Sequence, residues 1–200
     1  MFILSILFFF DFLGFGQTIK PIETEWDQSN ISERDTYFKD VNNVLNKFLG
    51  TWKYEDASNN LVFEITFSKL INQEQIFDNY ADELSAQFKL IINGIEQYNT
   101  YTTICEDCFI PGGFNSYEEG FENDEFIYTE SNVNMYIASF AEPNIEDDVL
   151  ASDLKLEYQF SLGSPAQLIW TNKVSEVLDY ITNIRVNNYQ LPMNMVLIKQ

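Results

Sequence analysis

Cys105 and Cys108 have the clearest chemical spacing in this chain. A redox-active Cys-x-x-Cys pair needs a thiol whose pKa is lowered at a helix N-terminus. Residues 109–113, Phe-Ile-Pro-Gly-Gly, do not begin an ordinary helix, and Glu106 and Asp107 would raise the thiol pKa instead. The pair is therefore interpreted as a structural disulfide formed in an oxidising compartment. Free thiols are the next interpretation, and metal or redox chemistry is the least favoured.

Histidine is absent from the 200 residues, which removes the commonest general base, the commonest transition-metal ligand and every Ser-His or Cys-His nucleophile. A zinc site would need ligands beyond the two cysteines. The acidic stretches 118–119, 122–125 and 142–148 raise calcium as a ligand, because calcium prefers carboxylate and carbonyl oxygens. None of them has the spacing of an EF-hand loop, so a solvated acidic face is the favoured interpretation. No catalytic residue, metal ligand or cofactor is assigned.

Charge and acid content also restrict the function. The formal charge is −20, and its negative field repels phosphate backbones, so nucleic acid is not expected as a partner. Pairs of carboxylates for glycoside hydrolysis can always be chosen among 31 acids, but nothing distinguishes one pair. The chain is therefore not expected to be an enzyme.

The first sixteen residues are predicted to be a secretory signal peptide. An apolar run spans residues 2–10, and Gly14-Phe15-Gly16 supplies small residues for cleavage before Gln17. A buried N-terminal strand or helix is the alternative, since no Lys or Arg follows Met1. The run is shorter than the roughly 20 residues that span a bilayer, so no membrane span is expected. Residues 17–31 are predicted to be an extended arm and residues 32–200 one domain, exported to the periplasm or the exterior.

An amphipathic helix is predicted between Ser32 and Gly50. Ser32 can cap its first turn, and Gly50 is a stop signal. Apolar residues recur at steps of three and four along one stripe. These are Phe38, Val41, Val44, Leu45, Phe48 and Leu49. The helix leads into Gly50-Thr51-Trp52, where a series of strands begins.

Period-two alternation of apolar residues predicts the strands. Residues 61–67 pair back to 52–54 through Ser58-Asn59-Asn60, and residues 84–92 precede the hairpin dipeptide Asn93-Gly94. A two-residue turn makes Ile92 oppose Ile95 and turns inward Gln97, Asn99, Tyr101 and Thr103. A three-residue loop with a bulge turns inward Tyr98, Thr100, Thr102 and Ile104 instead. Both registers are compatible with the sequence.

The second half of the chain predicts further pairs. Residues 126–128 and 133–137 are expected to pair around 130–132, and residues 154–162 to form a hairpin with 166–170. A short helix is predicted over 174–181. A final strand, 193–199, is expected to close the sheet near its start.

Many short antiparallel strands indicate a sandwich or a barrel. The lead into Gly50-Thr51-Trp52 followed by a meander resembles the start of the lipocalin and fatty-acid-binding barrels, in which a Gly-x-Trp packs across one end. Residues 49–54, 168–170 and 191–197 are also similar to an uncharacterised family of exported flavobacterial proteins described as lipocalin-like. The resemblance implies an all-β, antiparallel, up-and-down barrel of about eight strands with one N-terminal helix. It implies structural roles for Gly50 and Trp52 at the barrel end.

Aromatic residues on the inward faces are candidates for cavity lining. They are Phe63, Phe88, Tyr101, Tyr158 and Trp170. The leading hypothesis is a module that binds a small apolar or amphipathic ligand inside the barrel. The alternative is a structural or protein-interaction module whose barrel is filled by its own side chains and whose acidic surface meets a protein or a cation. An enzymatic reading would require a cleft with a carboxylate of raised pKa.

Overall fold

Alternating apolar residues form the buried face of a β-sheet in the computed structural model. The structure describes residues 17–25, 34–75, 78–102, 109–110, 112–114, 117–118, 127–128, 132–140, 142–143, 152–174, 177–178, 185–186 and 189–200. The strands are β1 (Thr18–Pro21), β2 (Thr36–Lys39), β3 (Gly50–Asp56), β4 (Leu61–Glu74), β5 (Tyr80–Ile92), β6 (Ile95–Asn99), β7 (Phe109–Ile110), β8 (Gly112–Gly113), β9 (Tyr117–Glu118), β10 (Ile127–Tyr128), β11 (Met135–Phe140), β12 (Ser152–Gln159), β13 (Gln167–Val174), β14 (Val177–Leu178), β15 (Arg185–Val186) and β16 (Asn194–Lys199). Two 3-10 turns, Ile22–Thr24 and Val44–Lys47, are the helical elements of this part of the chain.

Twelve of these strands form one mixed sheet. Its order is β1-β2-β5-β4-β3-β16-β13-β12-β11-β8, and β6 and β7 also pair with β5. The β1–β2 and β2–β5 pairs are parallel: β1, from the N-terminal arm, lies beside β2, and β2 lies beside β5. The all-β class is thus confirmed. The predicted closed antiparallel barrel of about eight strands is not observed, since the described strands form a mixed ladder that does not close between β1 and β8.

The main sheet curls on itself. Phe88 on β5 and Phe140 on β11 stand six steps apart along the ladder, which would separate them by ~29 Å in a flat sheet. Their ring centroids are instead 5.5 Å apart, and Phe63 on β4 lies 5.7 Å from Trp170 on β13. Side chains from distant strands therefore share one core inside the curl.

Two short strands lie between the facing edges of the curl. β7 pairs with β5, and β8 pairs with β11. Gly112 on β8 has no room for a side chain, because a Cβ there would lie 2.0 Å from the Ile137 carbonyl oxygen. Only glycine permits this approach of two backbones.

The predicted N-terminal helix is wrong. Its residues form β2, a bend and the 3-10 turn Val44–Lys47. The Asp40 carboxylate accepts the backbone N–H groups of Val44 at 2.6 Å and Leu45 at 3.4 Å, and Asn43 adopts a left-handed φ of 56°. Local hydrogen bonds to an Asp side chain compete with a continuous helix in this way. Val41, which the helical stripe placed inside, is exposed.

The Asn93-Gly94 hairpin combines the two predicted registers. Ile92 opposes Ile95, as a two-residue turn requires, but the ladder then shifts so that Leu90 opposes Tyr98. The shift, a β-bulge, reverses the alternation and buries Tyr98 and Thr100. Tyr98 therefore faces the core, as the bulged register predicts.

Other pairings are partly as predicted. The β3–β4 and β12–β13 hairpins are confirmed, and β16 pairs with β3 next to the start of the sheet. The predicted pairing of residues 126–128 with 133–137 is wrong, because β10 pairs with β9 and β11 pairs with β12 and β8. Within the predicted helix 174–181, Val177–Leu178 is a strand paired with β15.

Several predictions fall outside the described residues. These are the signal peptide at 1–16, the Cys105–Cys108 disulfide, the Ser32 cap and most of the acidic stretches 122–125 and 142–148. Within the predicted arm 17–31, residues 18–21 are the edge strand β1 and residues 22–24 a 3-10 turn.

Candidate functional site at one end of the curled sheet

Polar side chains gather at one end of the core, where β11 and β13 end and β12 begins. We call this group the polar end; it consists of Tyr98, Glu142, Ser152, Trp170, Asn172 and Tyr189. Trp170 and Asn172 alternate on the same face of β13, and Ser152 is the first residue of β12. Glu142 follows β11 and Tyr189 precedes β16, so four separate parts of the second half of the chain meet the bulged strand β6.

Phe140, the last residue of β11, joins these parts. Its ring lies 4.9 Å from the Trp170 ring and 6.3 Å from the Tyr189 ring, centroid to centroid. Its carbonyl oxygen accepts hydrogen bonds from Ser152 Oγ at 2.9 Å and from the Tyr189 hydroxyl at 2.9 Å. The end of one strand thus holds both the apolar and the polar contacts of the site.

Three polar atoms of this end are buried without a hydrogen-bond partner. They are the Tyr98 hydroxyl, the Trp170 indole nitrogen Nε1 and the Asn172 amide nitrogen Nδ2. The exposed fractions of these residues are 7%, 0% and 4%. Leaving a buried polar group unpaired costs ~1–3 kcal/mol, and most buried polar atoms in folded proteins are paired. Three unpaired polar atoms in one cluster indicate that a ligand or ordered water pairs with them.

The Asn172 amide can be oriented in two ways. Ser152 Oγ lies 2.5 Å from Asn172 Oδ1, but its single proton cannot serve both that oxygen and the Phe140 carbonyl. Turning the amide lets Nδ2 donate to Ser152 while Ser152 donates to Phe140, which leaves Oδ1 unpaired instead. In either orientation one polar atom of Asn172 lacks a partner. Trp170 Nε1 is a donor in every case.

Burial makes the polar end unfavourable for negative charge. The Glu142 carboxylate accepts the backbone N–H groups of Gln190 at 3.0 Å and Leu191 at 2.7 Å. Desolvation nevertheless raises the pKa of Glu142, and the two hydrogen bonds offset only part of this. Desolvation also raises the pKa of Tyr98 far above its usual value, with further contributions from Glu142 and Tyr189.

The structure brings three of the five candidate lining residues together. Phe63 packs on Phe88 at 6.2 Å and on Trp170 at 5.7 Å between ring centroids, so their rings fill the middle of the curl. Tyr158 lies instead beside Trp52, at 6.3 Å. The Tyr101 hydroxyl is 2.8 Å from Thr66 Oγ1.

Thr66 alternates with the buried residues of β4, so Tyr101 lies on the outer face of the sheet. Phe160, which follows β12 and continues the period-two alternation of Leu156 and Tyr158, is exposed at the loop.

Sequence reasoning missed most of the polar end. Tyr98 was inward in only one of two registers, and Glu142 was grouped with a solvated acidic face. Asn172 could have been found, because period-two alternation places it on the same face as Trp170. No sequence pattern predicts that Ser152 or Tyr189 lies here, because both are held by hydrogen bonds to the Phe140 carbonyl oxygen.

The opposite end of the core is built around Trp52. Tyr136 and Tyr158 pack there against Phe48. At the other ends of their strands, Ser152 is part of the polar end and Phe140 contacts it. The Trp52 indole N–H donates to the Phe48 carbonyl at 2.6 Å. Trp52 is fully buried.

Lys199 covers this end of the core. Its Nζ lies 4.9 Å from the Trp52 ring centroid and donates to the Leu49 carbonyl at 2.7 Å. Gly50, between these contacts, has a φ of +98°, which side-chain-bearing residues rarely adopt.

Two buried acids hold the N-terminal half together. Asp40 binds Lys69 Nζ at 3.0 Å in addition to the 3-10 turn. Asp82 accepts hydrogen bonds from the Tyr37 hydroxyl at 2.5 Å and from the backbone N–H groups of Asp40 and Asn72. These carboxylates are fully engaged, so we assign them a structural role.

Glu25, after the first 3-10 turn, has a carboxylate oxygen that is buried without a partner. Desolvation, together with the charge of Glu83, raises its pKa to about 8. No group of three or more Asp, Glu, His or Cys side chains that could hold a metal ion occurs in the described ranges.

A model of the family of unknown function DUF6705 matches residues 1–200. The chain belongs to this DUF6705 family. No curated protein and no solved structure matches this DUF6705 chain. In the part of the DUF6705 chain that the structure describes, no helix is long and apolar enough to cross a membrane.

Proposed function

We propose that this DUF6705 protein is an exported, non-catalytic, lipocalin-like module that binds a small amphipathic molecule at the polar end. The observation that carries the proposal is the cluster of three buried polar atoms without partners, on Tyr98, Trp170 and Asn172. A bound molecule with polar atoms would remove the free-energy cost of leaving them unpaired. Ligand sites combine apolar walls with a few such convergent polar groups.

The lipocalin-like part of the proposal is supported by the curl of the sheet and by its Trp52 end. A Gly-x-Trp begins β3, its tryptophan is buried, and a cation from the last strand lies over the ring. The middle of the core is occupied by Phe63, Phe88 and Trp170, so the ligand is placed at the end and not along the axis.

Native mass spectrometry of the protein purified from its natural source tests ligand binding. We expect a bound small molecule on the wild-type chain and its loss from Trp170→Phe, because this change removes one of the unpaired donors. Trp52→Phe is the matched control and is expected to retain the molecule. A bare wild-type chain would contradict the proposal and favour the second candidate.

The second candidate is a protein-interaction module with a filled interior. The aromatic packing of the central core favours it, because those rings occupy the space in which an apolar ligand of a hollow barrel would lie. In that case ordered water would satisfy the polar end, as it does for many buried polar groups.

Export is tested separately. N-terminal sequencing of the natural protein is expected to begin at Gln17, and thiol titration of that protein is expected to find Cys105 and Cys108 oxidised. A natural protein that begins at Met1 would contradict export.

A further inference from the structure

The polar end also restricts the chemistry of its ligand, an inference that rests on the proposed function. We propose that the ligand is an uncharged molecule with oxygen acceptors, such as a ketone, ester or amide, on a flat apolar frame. Carboxylate ligands are discriminated against.

The unpaired groups call for an acceptor. Trp170 Nε1–H can only donate, and the Tyr98 hydroxyl can donate as well. Both residues are more than nine-tenths buried, so bulk water does not hydrogen-bond to these two donors. An oxygen with free lone pairs is the complement of this pair of donors.

The charges of the site favour a neutral acceptor over an anion. The described residues that form the polar end include no Lys or Arg, and the ionisable ones among them are Glu142, Tyr98 and Tyr189. Glu142 is 2% exposed, and its carboxylate already accepts two backbone N–H groups. A carboxylate ligand would lose its hydration without gaining a cation, and the chain's charge of −20 would oppose its approach.

The walls of the site favour a flat apolar frame. Phe140 packs edge-on to Trp170, with ring planes at 84°, and Phe88 packs edge-on to Tyr98, with ring planes at 89°. Phe88 and Phe140 lie 5.5 Å apart and join these two pairs. The unpaired donors of Tyr98 and Trp170 are therefore both carried by rings that pack against another ring, and an aromatic ligand can continue this packing.

Three matched probes separate these properties. They are 2-acetylnaphthalene, which carries a neutral carbonyl, 2-naphthoate, which carries a carboxylate on the same frame, and 2-ethylnaphthalene, which has no acceptor. Each is titrated into the full chain at pH 7, and the indole N–H signals of Trp26, Trp52 and Trp170 are followed by ¹H–¹⁵N NMR. Trp→Phe variants assign the three signals.

We expect the ketone to shift the Trp170 signal and to leave Trp52 unchanged, because Trp52 Nε1–H is already bonded to Phe48. The ketone should bind at least ~10-fold more tightly than the other two probes, since only it supplies an uncharged acceptor. In Tyr98→Phe the preference for the ketone should decrease, while the alkyl probe should bind as before.

Two results would overturn the inference. Equal or tighter binding of 2-naphthoate, with a shift at Trp170, would show that the site accepts anions, although the proposed function would stand. No Trp170 shift with any probe would refute the flat, neutral ligand class. Whether the protein carries a ligand at all would then be decided by its native mass spectrum.

Discussion

Trp52 and Trp170 have the same burial but opposite hydrogen-bond states. Both are fully buried in one core, yet Trp52 Nε1 donates to a backbone carbonyl at 2.6 Å while Trp170 Nε1 has no partner among the described residues. A residue needed only for packing is expected to have its indole N–H paired, as Trp52 has. At one end of the core the chain itself pairs the buried indole N–H, and at the other end no described residue does so.

The largest expected effect on stability comes from disrupting the β8–β11 contact, which lies between the two ends of the core. Gly112→Ala would place a methyl group against the Ile137 carbonyl, between Tyr136 at the Trp52 end and Phe140 at the polar end. Displacing backbone atoms is costly, so we expect the free energy of unfolding to fall by ~3 kcal/mol, the upper end of the usual range for overpacking. Urea denaturation followed by circular dichroism measures it.

Gly163→Ala is the matched control for this variant. Gly163 has a φ of +87° but nothing within 4 Å of its added Cβ, so only backbone strain of ~1–2 kcal/mol is expected. Equal losses in the two variants would mean that the β8–β11 contact is not needed to join the ends.

A second prediction concerns the buried acid Glu25. Its pKa is raised in the folded state from 4.5 to about 8, so the folded chain keeps a proton that the unfolded chain has released between these pH values. The unfolded state therefore binds fewer protons, and stability falls as pH rises through this window, by up to ~1.4 kcal/mol per pH unit. Thermal denaturation between pH 5 and pH 8 measures the slope.

Glu25→Gln should remove most of this slope, whereas Glu74→Gln, at an exposed position, should keep it. Glu25 and Glu83 both raise the pKa of Tyr136, which packs against Phe48 at the Trp52 end. The pH dependence of stability caused by Glu25 therefore reports on that end of the core. A wild-type chain whose stability is constant or rises over this range would show that Glu25 is ionised in the folded state.

A third prediction compares the two tryptophans directly. Trp52→Phe and Trp170→Phe remove similar apolar areas, but only the first leaves a backbone carbonyl, that of Phe48, without its donor. We expect Trp52→Phe to lower the free energy of unfolding by ~1–3 kcal/mol more than Trp170→Phe does. Chemical denaturation of ligand-free protein tests this, and equal losses would remove the basis of the comparison.

The smallest expected effect concerns the cation above Trp52. Lys199→Met keeps the apolar stem but removes the Nζ contacts with the Trp52 ring and with the Leu49 carbonyl. A loss of ~1 kcal/mol is expected, and it should disappear in a Trp52→Phe background if the ring contact supplies most of it. A double-mutant cycle measures the coupling, and a value near zero would assign the stabilisation to the Leu49 hydrogen bond.

The sequence predicted the elements whose signal is local. Alternation at 61–67 and 84–92, and the Asn93-Gly94 turn, were sufficient to place three consecutive strands correctly. The helix at 32–49 failed because its period-3.6 stripe was overridden by the Asp40 side chain, which bonds the backbone of Val44 and Leu45. The bulge that buries Tyr98 lies within the β5–β6 hairpin, where the sequence was compatible with two registers. The parallel pairing of β2 with β5 has no local signal, since these strands are about 40 residues apart in the sequence.

The pairing of β16 with β3 also has a kinetic consequence. Lys199 and Trp52 are partners in the ladder although about 150 residues separate them, and such long-range contacts slow folding. The bond from Trp52 to Phe48 spans only four residues, so we expect it to form early and the cover by Lys199 to form last. A chain emerging from the ribosome would thus keep the Trp52 ring uncovered until its final strand is made. Stopped-flow fluorescence of a chain with Trp52 as its only tryptophan would follow that last step as a slow phase, which should be absent from Lys199→Met.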